Sequence, residues 1–317
     1  MQGVILAAGK GSRLHPITTE RSKAMLPILG KPIVERVMEA LAAQGISDFI
    51  VVVSPEDRRI TNYFRRESKI DTEVRFAYQT ERLGMANALS CAAPLIEGDF
   101  VLSACDNLLP DGEITHILHT WRSEPRPNAL LTLIRIPQEL ISSSGIVDLR
   151  DGWVRRIVEK PSLEEAPSDI ASLPLYCLPH AILDYLPEVK PSARGEYELQ
   201  DAIQMLIEQQ GSVRGFMVPR RLTLTRPADL LQINRHYLSE AEDQPQLQPQ
   251  RVGPNTQLIT PLHIETGVVI GADCTIGPNV YIERDCRIGD RVKLKDTILL
   301  RAAVIPPGKE IRDQVVS

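Results

Sequence analysis

The chain has 317 residues, enough for about two domains with buried cores, and its composition is that of an ordinary globular protein. A formal charge of −5 without any dense Lys/Arg stripe excludes nucleic acid as a standing partner. No apolar run nears the ~18 residues of a membrane span, and the N-terminus enters a strand instead of a basic leader, so a cytoplasmic protein without membrane contact is expected.

Val4-Ile5-Leu6 reads as a buried strand, and Gly9, Gly11 and Ser12 after it let backbone N–H groups approach an anion without Cβ interference. Arg13 and Lys23 add positive charge, so the stretch from Leu6 to Pro32 points to a polyphosphate. Its spacing is neither G-x-G-x-x-G nor G-x-x-x-x-G-K-[ST], which weakens a dinucleotide-fold or P-loop reading. From residue 1 to 238 short apolar strands alternate with helical patterns, which predicts an α/β domain on a mostly parallel sheet. Strands are predicted at Phe49–Val53, Val74–Ala77, Phe100–Ser103 and Leu130–Ile134. Ile33, Val34, Val37, Met38 and Leu41 recur at helical spacing, as do Ile114, Ile117 and Leu118, and these stripes belong to the core. The strand at Phe100 runs out at Ala104-Cys105-Asp106-Asn107, which puts Asp106 at a carboxyl end of the sheet, where α/β proteins bind ligands. Residues 239–251 lose both periodicities and gather Pro, Gln and charge, so they read as a linker. Five cysteines, Cys91, Cys105, Cys177, Cys274 and Cys286, form no C-x-x-C pair and predict reduced thiols without a disulfide framework or zinc.

Counting in sixes from Val252 meets Leu258, Ile264, Ile270, Ile276, Ile282, Ile288, Leu294 and Leu300, all aliphatic. Four positions after each stand Thr256, Leu262, Val268, Cys274, Val280, Cys286, Val292, Ile298 and Val304, small or medium residues that fit a narrow prism. Hexads of this type resemble the left-handed parallel β-helix, which uses three per turn and so predicts about three coils over residues 252–317. A solenoid this short leaves sheet edges at its ends, so a homo-oligomer, dimer or tetramer, is expected. Hexapeptide-repeat proteins include acyltransferases. Here His263 is the segment's single histidine and no long loop walls an acyl site, so assembly is the better use.

A-A-G-K-G-S-R at Ala7–Arg13, followed by K-x-M-L-P-x-x-G-K-P at Lys23–Pro32, resembles the signature of sugar-1-phosphate nucleotidylyltransferases, the NDP-sugar pyrophosphorylases. The resemblance implies a Rossmann-like mixed sheet with helices on both faces and an in-line attack of a sugar phosphate oxygen on the α-phosphorus of a nucleoside triphosphate. Such a reaction needs no side-chain nucleophile. The protein would mainly align two anions and, with Mg2+, neutralise charge growing on pyrophosphate. Leu6, Ala8, Gly9, Gly11, Ser12 and Arg13 would line the nucleotide, with the Arg13 fork on the β- and γ-phosphates and Lys23 following the leaving oxygens. Tyr78-Gln79 and Leu83-Gly84-Met85-Ala86 are similar to the family's base-reading segment. The Gln79 amide matches the O4 and N3–H edge of uracil or thymine, and Gly84 would admit main chain close to the base, which favours UTP or dTTP.

By the same resemblance Asp106 is the magnesium ligand, and the Asp106-Asn107 pair looks like the thymidylyltransferase branch, with Cys105 in a place usually held by a small residue. Gly145 and Ile157-Val158-Glu159-Lys160-Pro161 resemble the sugar-phosphate side. There Glu159 would accept sugar hydroxyls, Lys160 would pair with the 1-phosphate, the Gly145 amide would meet a ring hydroxyl, and Tyr176 would lie beneath the sugar. Arg194, in R-G-E-Y-E-L-Q-D, would be a third phosphate cation. Glucose 1-phosphate is the first choice of sugar.

Two segments depart from the family. Matching Pro227 and Asp229-Leu230 to the element that carries the second metal aspartate puts Thr223 on that aspartate, Arg221 on a tryptophan and Thr225 on a glycine. A neutral hydroxyl brings no charge to a dication held between phosphates. Ser172-Leu173-Pro174-Leu175-Tyr176 replaces an N-x-G-x-Y type segment, and Pro174 and Leu175 would reshape the pocket beneath the sugar. Two readings follow: an active pyrimidine-nucleotide pyrophosphorylase that relies on Asp106, or a catalytically degenerate subunit that binds nucleotide or NDP-sugar and regulates a partner.

Overall fold

The computed structural model of the protein describes residues 1–110, 112–240 and 250–317. The chain opens with β1 (Gln2–Leu6), β2 (Pro27–Ile28), β3 (Lys31–Pro32), α1 (Ile33–Ala42), β4 (Asp48–Val53), α2 (Arg58–Arg66), β5 (Glu73–Tyr78), α3 (Met85–Ala92) and β6 (Phe100–Ala104). It continues through α4 (Glu113–Arg122), β7 (Ala129–Arg135), β8 (Gly145–Arg150), β9 (Trp153–Glu159), β10 (Ile170–Leu178), α5 (Ile182–Tyr185), α6 (Leu199–Gln210), β11 (Val213–Met217) and α7 (Pro227–Glu240). Met1–Gly9 and Val34–Arg221 form one compact unit, and Lys10–Ile33 with Leu222–Ser317 form a second. Among the described residues no helix is long and apolar enough to cross a membrane.

The first unit is built on a nine-stranded sheet in the order β5-β4-β1-β6-β10-β7-β11-β9-β8. Strands β5, β4, β1 and β6 run parallel, as do β7 and β11, while β10 lies antiparallel between β6 and β7. The carboxyl ends of these six strands therefore share one edge with the start of β10. All four predicted strands are present, each extended by one or two residues. In β4 the run Phe49–Val53 is wholly inaccessible, as a strand covered on both faces requires. The helical stripes Ile33–Leu41 and Ile114–Leu118 fall in α1 and α4 and are buried. Val4, Leu102 and Leu131 of the sheet share one core with Ala86 and Leu89 of α3 and Leu199 and Ile203 of α6.

In the second unit twelve short strands form three parallel sheets of four. They are β12 (Arg251–Val252), β13 (Gln257–Leu258), β14 (Leu262–Ile264), β15 (Val269–Ile270), β16 (Thr275–Ile276), β17 (Val280–Ile282), β18 (Arg287–Ile288), β19 (Lys293–Lys295), β20 (Thr297–Leu299), β21 (Val304–Ile305), β22 (Glu310–Arg312) and β23 (Val315–Val316). Each strand pairs with the one three places on, so the chain winds as a three-sided parallel β-helix. With four strands per side it makes four rungs, the last lying beyond the counted hexads. The six-residue count slips near its end. Leu299, not Leu300, pairs with Ile282, because the third rung is one residue shorter at that corner. The slip turns Val304 out to 67% exposure and places Ala303 in the buried position. From Leu262 to Leu294 the prism is as read, with Ile264, Ile276, Ile282 and Leu294 packed beside Val268, Cys274, Cys286 and Val292, whereas Val252, the first of the count, is 38% exposed. All five cysteines are free. Of the segment 239–251 read as a linker, residues 239 and 240 are helical, 251 begins β12, and 241–249 lie outside the described residues.

Candidate active site

In the first unit the turn after β1 is tied down on both sides. Ala7 N donates to Val52 O at 2.8 Å and Cys105 N to Leu6 O at 3.2 Å. Arg82 Nε donates to Ala8 O at 2.8 Å, an anchor that only the tertiary approach of the two segments makes visible. A Cβ on Gly9 would meet nothing within 4 Å, so its backbone borders open space.

After β5, Gln79 is buried, and its Nε2 donates to Gly84 O at 3.1 Å and Asn87 Oδ1 at 2.8 Å. Both amide hydrogens are thereby used, which leaves Oε1 as the acceptor the side chain offers. Gly84 has φ +103°, and a Cβ there would stand 2.5 Å from Tyr197 O. Its glycine is demanded by the backbone of the Arg194–Asp201 element: Tyr197 N donates to Leu83 O at 2.6 Å and Ala86 N to Tyr197 O at 3.0 Å.

Asp106 follows β6 and is buried, as are Cys105 and Asn107. Neither amide atom of the Asn107 side chain has a hydrogen-bond partner, a rare condition for a buried group and one that a ligand can relieve. Beyond β11 the chain brings Arg221 near the same carboxylate. Burial lowers the Arg221 guanidinium from its ordinary value, and the nearby Asp106 and Tyr176 side chains pull it back up. Among the described residues no group of three His, Cys, Asp or Glu side chains is arranged to hold a metal. Magnesium carried on phosphates needs only one or two protein carboxylates. Asp106 with the unsatisfied Asn107 Oδ1 fits such an ion.

Gly145 opens β8 opposite Glu159, the last residue of β9. A Cβ on Gly145 would lie 2.9 Å from Glu159 Oε2, 3.0 Å from Ser172 Oγ and 3.2 Å from Gln200 Cγ, so three polar side chains converge there. Glu159 Oε2 and Gln200 Oε1 are both buried acceptors without a donor. Gln200, in the first turn of α6, carried no signal of its own in the sequence beyond its place in the R-G-E-Y-E-L-Q-D run. Tyr176 is wholly buried and gives its hydroxyl hydrogen to Ser172 Oγ at 3.1 Å, so it holds Ser172 from within the core. Pro174 and Leu175 sit in a bulge of β10, between the pairs Leu173–Thr132 and Tyr176–Leu131. Proline cannot donate to the ladder, which suits it to that place.

Lys160 Nζ is 3.3 Å from Glu159 Oε1 and Arg194 Nη2 is 3.9 Å from it. Arg194 is held harder by Glu198, at 2.5 Å, which also accepts from Ser192 Oγ at 2.9 Å. Burial raises the Glu159 carboxyl above its ordinary range, Lys160 opposes that shift, and Glu198 adds to it. Glu159, Ser192, Arg194, Glu198 and Asp201 line a cleft of about 350 Å³.

The second unit carries the cationic part of the signature. Gly11, at φ +65°, starts a short 3-10 turn over Ser12–Leu14, and a Cβ on it would press to 3.0 Å from Lys23 Cβ. Thr18 Oγ1 closes the loop by donating to Gly11 O at 3.0 Å. Ser12 and Arg13 are exposed and Lys23 is half-buried. The Arg13 guanidinium has no ion pair among the described residues. Thr223 also belongs to this unit. Asp229, the carboxylate nearest to it in sequence, is spent on its own helix, accepting Thr225 N at 2.8 Å and Arg226 N at 2.7 Å. His263, weighed above for acyl transfer, is buried with its ring edge-on to Tyr281 at 5.6 Å between centroids.

A nucleotidyl transferase family model matches residues 2–237, and a GMPPB C-terminal domain model matches residues 258–317. The low-salt glycan biosynthesis nucleotidyltransferase Agl11 of Haloferax volcanii is 32% identical over 244 residues, 76% of this chain and 67% of its own length. The glucose-1-phosphate thymidylyltransferase of Streptomyces griseus is 29% identical over 335 residues, covering 100% of this chain and 92% of its own. The UTP–glucose-1-phosphate uridylyltransferase AglF of Haloferax volcanii is 32% identical over 231 residues, 72% of this chain and 93% of its own. A crystal structure of UDP-glucose pyrophosphorylase complexed with UDP-glucose matches with a TM-score of 0.68 at 20% identity, over 75% of this chain and 98% of that one, a likeness of fold.

Proposed function

The chain belongs to the nucleotidyl transferase family, whose activity here is that of a sugar-1-phosphate nucleotidyltransferase, and we propose that it joins UTP or dTTP to a hexose 1-phosphate, glucose 1-phosphate first. A sugar phosphate oxygen bonds to the α-phosphorus as the bond from that phosphorus to the bridging oxygen breaks, and pyrophosphate leaves with the electron pair. The observation that carries this reading is the pair of buried acceptors without donors, Glu159 Oε2 and Gln200 Oε1, gathered at Gly145. Unpaired buried acceptors cost free energy that hydroxyl donors of a sugar relieve.

Gln79 favours uracil or thymine over adenine and cytosine. With Nε2 bonded to Gly84 and Asn87, its Oε1 accepts the N3–H of uracil or thymine, whereas adenine N1 and cytosine N3 present lone pairs to it. Arg13 meets the outer phosphates, Lys23 the leaving oxygens and Lys160 the sugar phosphate, while the backbone from Leu6 to Ser12 wraps the triphosphate. Asp106 and Asn107 would hold the magnesium ion, which when bound neutralises part of the charge on pyrophosphate. The exposed ends of so short a β-helix favour a homo-oligomer.

A second reading, a non-catalytic subunit that binds nucleotide or NDP-sugar, is favoured by Thr223 and by the Arg221 cation near Asp106. The deciding experiment is pyrophosphate release with magnesium, crossing UTP, dTTP, ATP and GTP against several sugar 1-phosphates, beside Thr223→Asp. Turnover by the wild type with a pyrimidine nucleotide sustains the enzyme. Silence that Thr223→Asp relieves sustains the binding subunit.

A further inference from the structure

Outward-facing side chains of a β-helix are normally wet, yet on one face of this one His263 at β14 and Tyr281 and Glu283 at β17 are buried, and Glu265 beside them is half-buried. Within the same unit they meet the segment that carries the cationic signature. Arg21 Nη1 pairs with Glu283 Oε1 at 2.8 Å, with side-chain exposures of only 15% and 8%. The other Glu283 oxygen accepts Arg301 N at 2.7 Å, which fixes the carboxylate to the β-helix itself. Nine residues on from Arg21, the turn of the β2–β3 hairpin is held as well. Leu29 and Gly30 have φ of 46° and 83°, the two positive angles of a tight two-residue hairpin turn. Gly30 N donates to the Tyr281 hydroxyl at 3.2 Å, and that hydroxyl donates to Glu265 Oε1 at 2.5 Å. Leu29 N donates to Asn234 Oδ1 of α7 at 3.1 Å.

These anchors flank Lys23. Arg21 stands two residues before it, and the pinned turn follows its 3-10 turn, Lys23–Met25. From this arrangement we infer that Glu283 and Tyr281 of the β-helix are positioning residues for the nucleoside triphosphate: they fix the segment from Arg21 to Gly30, and through it the Lys23 cation. The inference rests on the assignment of that segment to the triphosphate. It gives the β-helix a part in substrate binding, and it explains why the chain closes the polar face with a carboxylate pair that burial makes costly. A cation displaced by ~1 Å loses much of its value to a reaction that depends on alignment.

The test uses the full chain with Glu283→Gln, Arg21→Gln, the double variant and Tyr281→Phe. Backbone hydrogen exchange over residues 22–32 reads the anchoring, and KM for UTP or dTTP against KM for the sugar 1-phosphate reads its consequence. Removing one member of a buried charge pair is expected to speed exchange in that segment and to raise the nucleotide KM by about tenfold, with the sugar phosphate KM changed less than about twofold. The double variant is expected to be no worse than either single one, as for two groups acting as a unit. Unchanged exchange, or faster exchange with an unchanged nucleotide KM, overturns the positioning role, as does a parallel rise of both KM values. A wild-type protein that binds no nucleoside triphosphate instead refutes the functional reading on which the inference rests.

Discussion

Gly84 and Tyr197 touch backbone to backbone, and through them the segment proposed to read the base and the element proposed for the sugar side hang on each other. The Tyr197 carbonyl accepts Ala86 N at 3.0 Å, the Tyr197 amide donates to Leu83 O at 2.6 Å, and a Cβ on Gly84 would intrude to 2.5 Å from that carbonyl. Because φ at Gly84 is also +103°, Gly84→Ala is both strained and overpacked. It is expected to destabilise the fold by about 2–4 kcal/mol, measured by denaturant unfolding. Since both segments shift, the KM values for nucleotide and sugar phosphate are expected to rise together.

The Glu159 carboxyl gives a pH signature. Its pKa is raised above the ordinary 4.5 because burial outweighs the Lys160 and Arg194 cations and Glu198 repels it. In the window above 4.5 the unfolded chain has lost this proton while the folded chain keeps it, so the folded state binds more protons. Stability from this group therefore falls as pH rises from 4.5 through the raised folded value. Thermal unfolding measured against pH is expected to show that negative slope, and Glu159→Gln to flatten it. A slope that survives the substitution would assign it to another group.

The parts of the fold legible in the sequence were those set by local pattern. An interior strand such as Phe49–Val53 must be apolar on both faces, and a prism of stacked rungs must repeat its aliphatics, so both announced themselves. The hexad count fails where one residue is missing from a corner, between Leu294 and Thr297, because counting assumes a constant period. Candidate residues placed at a strand end, such as Asp106 and Glu159, are singled out by apolar strand pattern and the resemblance together. What the sequence hid depends on distant segments meeting. The sequence offers Gly84 as a glycine for the base, and the close approach of Tyr197, which no local pattern shows, requires it as well. Arg82 on Ala8, Gln200 beside Gly145, and Arg21 on Glu283 join residues 74, 55 and 262 positions apart, beyond any local pattern.

Gln79 is expected to decide the base. Gln79→Leu keeps the side chain's bulk and removes the acceptor for a ring N3–H, along with the bonds to Gly84 and Asn87. A site built to pair with a polar edge discriminates strongly, so kcat/KM for UTP or dTTP should fall by about 10²-fold while that for ATP moves little. Steady-state kinetics with the four nucleotides check this. An equal loss for all of them would mean that Gln79 only braces the loop.

The Arg221 charge is expected to work against the magnesium ion proposed at Asp106. It brings a half-buried cation near Asp106, in the place that the resemblance gives to a tryptophan, and a dication bound to that carboxylate would feel its repulsion. Removing ~1.4 kcal/mol of repulsion is a tenfold change in affinity. Arg221→Gln is therefore expected to lower the magnesium concentration for half-maximal pyrophosphate release by about that factor. Asp106→Asn in the same assay is expected to cut turnover by about 10²–10³-fold at saturating magnesium, as the loss of a group that supports developing charge does. If Arg221→Gln instead raises the magnesium requirement, the guanidinium orients Asp106 for the ion and does not compete with it, and the departure at residue 221 becomes a support of catalysis.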